Sequence, residues 1–78
     1  MSHGKIEKFA RMANQIGDYY AAQPPDVGAA GVATHIRKFW TPKMIAETLA
    51  ALNQEKITLN ETAAQGFAML KQEFARAG

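Results

Sequence analysis

Cysteine is absent from this 78-residue chain, so neither a disulfide nor a thiolate metal site is open to it. Histidine is scarce as well; His3 and His35 are the only imidazoles, too few for a closed metal site. No apolar run approaches the roughly 18 residues of a membrane span, and nothing reads as a secretory leader. Charge of one sign is lacking too: the net value is +2, with nine Lys or Arg against seven Asp or Glu. Such a balance does not argue for nucleic acid by itself. These absences point to a soluble cytoplasmic protein of one domain, small enough that its core is marginal and a partner could add stability.

What is present is helical periodicity. From Lys5, at about 100° per residue, Ile6, Phe9, Met12, Ala13, Ile16, Tyr19 and Tyr20 share an arc. Pro24-Pro25 ends that helix. Asp26 reads as the N-cap of a second helix that turns Ala29, Val32, Ala33, Ile36, Phe39 and Trp40 inward. Gly28 and Gly31 lie on its other side, where either close packing or a frayed first turn is allowed. Thr41-Pro42 reads as an N-cap and first helical residue. The third helix then points Ile45, Leu49 and Leu52 inward and Met44 away, pairs Lys43 with Glu47 outside, and closes on a left-handed Asn53. A fourth opens on either a Thr58/Glu61 capping box or an Asn60 cap, and repeats Leu59, Ala63, Phe67, Leu70 and Phe74. The expected fold is all-α: a bundle of four helices at about 5–22, 27–39, 42–53 and 59–76, forming one domain over 5–78, with residues 1–4 as a disordered terminus.

No set of side chains has the form of a catalytic site. Nucleophilic catalysis needs a nucleophile beside an oriented base, and no motif around His35 supplies one. The carboxylates are scattered over separate faces, and there is no phosphate-cradling glycine loop. Two surface features stand out. Arg11, Asn14, Gln15 and Asp18 form one polar strip at i, i+3, i+4 and i+7, either a wet helix face or a source of directional hydrogen bonds across an interface. The run from His35 to Met44 sets Arg37, Lys38 and Lys43 around Phe39 and Trp40, two aromatics expected to bury themselves at the elbow and fix the angle between the middle helices. Those cations are either a solvated face or a docking patch for an acidic protein surface.

Arg11-Met12-Ala13-Asn14-Gln15-Ile16-Gly17-Asp18-Tyr19-Tyr20 and the His35–Met44 run, joined through Gln23-Pro24-Pro25, resemble the signature of the delta subunit of soluble NAD-dependent formate dehydrogenases. The resemblance covers about residues 5–52 and leaves the fourth helix outside, as an extension. Two positions depart from the family pattern: Thr41 stands where an acidic residue is common, and Lys43 where arginine is. Lysine lacks the planar two-pronged grip of arginine, so carboxylate pairing at that spot is weakened. The resemblance implies an accessory or assembly subunit, not an enzyme, with no catalytic, metal-binding or cofactor-binding residue of its own. It further implies a large catalytic subunit as partner, in a complex carrying a molybdenum or tungsten pterin, iron–sulfur clusters, FMN and NAD. Carried onto this chain, the partner-binding residues are Arg11, Asn14, Gln15, His35, Arg37, Lys38, Trp40 and Lys43. A stand-alone helical adaptor, with self-association through the fourth helix, is the alternative; nucleic acid and membrane are not expected partners.

Overall fold

Proline and asparagine set the helix boundaries. The computed structural model describes residues 3–77, and in it α1 spans His3–Tyr20, α2 Pro25–Phe39, α3 Pro42–Asn53 and α4 Glu61–Ala77. Helix α1 begins at His3, so His3 and Gly4, expected to be disordered, are helical; Met1 and Ser2 lie outside the described residues. Pro24 occupies the N-cap of α2 and Pro25 its first turn, which moves Asp26 inside the helix. Asp26 is therefore not the cap; its charge lies in the first turn, where the helix dipole favours an anion. Thr41 does cap α3, its hydroxyl accepting the Met44 N–H at 3.2 Å.

Helix α3 does not end on a left-handed Asn53. Asn53 is still helical, and the left-handed residue is Glu55, with φ 58°. Lys56 N–H donates to Ala51 O at 2.9 Å and Glu55 N–H to Leu52 O at 3.0 Å, the paired bonds of a Schellman stop. Of the two openings weighed for α4, Asn60 is the one used: its Oδ1 accepts the Ala63 N–H at 2.9 Å.

Helix α2 is the centre of the bundle. It packs most extensively on α4, while α1 lies across both and α3 rests on α1. The Cα radius of gyration, 11.6 Å, matches the ~11.5 Å expected for a compact chain of this length. Val32, Ala33 and Ile36 of α2 are fully enclosed with Ala13 of α1 and Ala63, Phe67 and Leu70 of α4. Phe9, Trp40 and Ile45 complete this core, and Met44, expected to point away, packs partly against it. The α2–α4 approach is close because Gly66 has no side chain. A Cβ there would stand 2.5 Å from a methyl of Val32. Far from being an appended extension, α4 supplies the floor of the core. Its apolar stripe is spent inside the monomer, with only Phe74, 36% exposed, and Met69 at the border.

Candidate interaction surface

The elbow between α2 and α3 separates its two aromatics. Trp40 leaves the helix in extended geometry (φ −102°, ψ 144°), its N–H still bound to Ile36 O at 2.8 Å. Its ring lies between Phe9 of α1 and Phe67 of α4, at centroid distances of 5.6 and 5.7 Å, and only 6% of the residue is exposed. Trp40 thus pins the elbow to the core and is not offered to a partner. Phe39, expected to be buried beside it, is 71% exposed. Two neighbouring helical residues diverge by about 100°, so one core cannot take both.

The cations around the elbow are also dispersed. Arg37 lies about 200° round α2 from His35 and reaches α4, where its guanidinium grips Glu73 through two bonds of 3.1 and 2.6 Å. Lys43 is exposed, and its expected partner Glu47 instead accepts from Lys5 of α1 at 3.0 Å. Glu47 lies half-buried toward α1, so the pair joins two helices instead of decorating one. Arg37, Lys38 and Lys43 therefore do not act as a single unit: one is committed to α4, and the other two are free of ion pairs among the described residues.

The polar strip of α1 divides in the same way. Asn14 faces α4's origin, its Oδ1 accepting the Asn60 N–H at 2.7 Å and its Nδ2 donating to Thr58 O at 3.3 Å. Asn60 Nδ2 returns bonds to Asn14 O at 2.9 Å and to Asp18 Oδ1 at 3.1 Å. Asn14 and Asp18 thereby hold the cap of α4 in place. Arg11 and Gln15 stay exposed.

What the structure does bring together is a groove between α1 and α2, about 420 Å³, lined by Gln15, Ile16, Tyr19, Tyr20 and His35. Its floor depends on Gly31, where a Cβ would sit 2.6 Å from the Tyr20 ring, which selects the close-packed reading of that glycine face over the frayed one. Tyr19 stands edge-on to Tyr20 at 5.0 Å and is 74% exposed, although the helical period placed it on the inward arc. Phe39 packs against His35 with ring centroids 4.8 Å apart and the planes tilted by 42°. The groove thus has an aromatic lip at each end. Gln15 and His35 of the groove are among the expected contact residues, and Tyr20 packs partly against the core as its arc implies, whereas Tyr19 and Phe39, expected inside, are surface. The readable signal was the two aromatic doublets at helix ends, Tyr19-Tyr20 and Phe39-Trp40, each of which must turn one ring away. Among the described residues no group of three or more His, Cys, Asp or Glu side chains is placed to hold a metal ion, and no helix is long and apolar enough to cross a membrane.

Comparison with known proteins yields one match. The model of the family described as NADH-dependent formate dehydrogenase delta subunit, FdsD, covers residues 8–67. That span extends beyond the resemblance drawn from the first three helices and takes in the first turns of α4, through Phe67 of the core. No curated protein and no solved structure matches the chain.

Proposed function

Because this chain belongs to the NADH-dependent formate dehydrogenase delta-subunit family, we propose that it serves as a non-catalytic accessory subunit of a molybdenum or tungsten formate dehydrogenase. In this reading it binds the large catalytic subunit and stabilises it or aids the loading of its pterin. Formate oxidation and the pterin, iron–sulfur, flavin and nicotinamide chemistry belong to the other subunits. The observation that carries the reading is the family match over 60 of 78 residues, counted from 8 to 67 inclusive, since it spans all of the core but Leu70 and is not confined to one motif.

The geometry adds support of its own. Aromatic side chains are enriched at protein-binding surfaces, and Tyr19 and Phe39 are the two most exposed large hydrophobics described. The elbow matters indirectly: Trp40 holds α2 against α1 and α4, so the side chains on the outer faces of α1 and α2 are presented on a rigid frame. Preorganisation of that kind lowers the ordering cost of association. Cytoplasmic residence follows from the soluble enzyme that the reading assigns to the subunit.

The test is to produce the large subunit with and without this chain. The expected result is copurification, together with lower yield or lower metal content of the large subunit when the chain is omitted. Formate turnover by the isolated chain would overturn the reading. So would an enzyme unchanged in amount, metal content and activity in its absence.

A further inference from the structure

The side chains of α1 and α2 that border the groove, exposed except for the half-buried Met12 and His35, are not randomly distributed. On α1, Lys8, Met12, Gln15 and Tyr19 follow one another at steps of four, three and four, which places them within about 60° of one another on the helix. On α2, His35, Lys38 and Phe39 fall within about 100°. Lys8 and Lys38 are exposed along this face, and neither has an ion-pair partner among the described residues. Arg11 lies outside it, about 70° round α1 from the centre of the stripe, with Glu7 and Asp18 only about 40° and 20° from it. Glu7 lies about 110° from the centre of the stripe, and Asp18 is bonded to Asn60 on the α4 side. Asp26 sits in the first turn of α2, about 180° from His35.

We propose that this α1–α2 face is the docking surface of the subunit. It takes an acidic segment of the catalytic subunit that carries large apolar anchors. The inference rests on the accessory-subunit reading and adds the face and the chemistry of what it binds. Charge complementarity selects the partner: the two unpaired lysines beside the groove, Lys8 and Lys38, attract a carboxylate-bearing surface and disfavour another copy of the same face. The groove supplies the apolar half. A leucine- or phenylalanine-sized anchor entering between Tyr19 and Phe39 would cover both lips and desolvate His35, the arrangement in which aromatics dominate binding energy. A second groove, between α3 and α4, has Ala64 and Ala68 in its wall and no exposed aromatic lip. It offers less to an anchor.

The experiment is titration of the purified catalytic subunit with the wild-type chain, with Tyr19→Ala and Phe39→Ala, and with the double charge reversal K8E/K38E. Melting curves of each variant accompany the titration. Each aromatic truncation is expected to weaken binding by about tenfold or more. The charge reversal is expected to weaken it by about tenfold and to lower the salt dependence shown by the wild type. The charge reversals alter only solvated side chains, so they keep the test open should an aromatic truncation perturb folding. If the wild type binds and all variants bind equally well, the face is wrong while the accessory reading stands. If the wild type does not bind at all, that reading fails and takes the inference with it. If the aromatic truncations abolish self-association of the chain but leave binding to the catalytic subunit untouched, the groove belongs to a second copy, and the proposal is overturned.

Discussion

The two sides of α2 are built from different materials. Toward α4 the helix presents Ala29, Val32 and Ile36 to Gly66, Phe67 and Leu70, small and branched residues in close contact, fastened at the rim by the Arg37–Glu73 clasp. Toward α1 and solvent it presents His35, Lys38 and Phe39, with an open groove beside them. The first side tolerates little change in volume, because interiors are packed as densely as organic crystals. The second has room. One helix thus carries the information for folding on one flank and, in our reading, the information for assembly on the other.

That contrast can be broken by substitution, and the effects should fall in a definite order. Trp40→Ala removes the ring that joins α1, the elbow and α4, and should cost about 3–5 kcal/mol. A domain of this size has a total stability of only about 4–12 kcal/mol, so loss of a cooperative transition by circular dichroism is the expected result. Gly66→Ala forces a methyl into Val32 and should cost about 1–3 kcal/mol in a denaturant titration; an unchanged midpoint would show that the helices separate easily. Asn60→Ala removes the cap of α4 and the side-chain bonds to Asn14 O and Asp18, for about 1–2 kcal/mol. Glu55→Gly should raise stability by about 1 kcal/mol, because glycine occupies the left-handed position without strain. Smallest of all, Arg37→Ala should cost under about 1 kcal/mol, since both partners are nearly half exposed, and Phe39→Ser should stay within about 0.5 kcal/mol of wild type. A Phe39→Ser variant that unfolds would erase the distinction between the two flanks.

Local structure is legible in the sequence, and long-range contacts are not. The four helices, the Thr41 cap and the Asn60 alternative are determined within a few residues of themselves, by periodicity and by the competition of short polar side chains for free N–H groups. Asp26 was misread as a cap because proline at the preceding position also starts helices, with φ already fixed. Asn14 looked like a surface amide because nothing nearby reveals that Asn60, 46 residues on, will meet it. Glu47 was assigned to Lys43 for the same reason, Lys5 being 42 residues away. Tyr19 and Phe39 fell on inward arcs because a period of 3.6 defines a broad stripe and cannot tell its edge from its centre. Of the residues expected to meet a partner, Trp40 is buried, Asn14 is engaged at the start of α4 and Arg37 at its far end, while Arg11, Gln15, His35, Lys38 and Lys43 remain accessible to some degree.

The sole indole of the chain is enclosed by two phenyl rings from opposite ends of the sequence and does not itself line the groove, where its neighbour Phe39 forms one lip. Its emission is consequently a built-in gauge of integrity: it should redden when the bundle comes apart and stay dark to events on the outer flank. A ligand-induced spectral change would then report reorganisation of the fold, whereas a silent titration that nonetheless alters mass would report attachment without it.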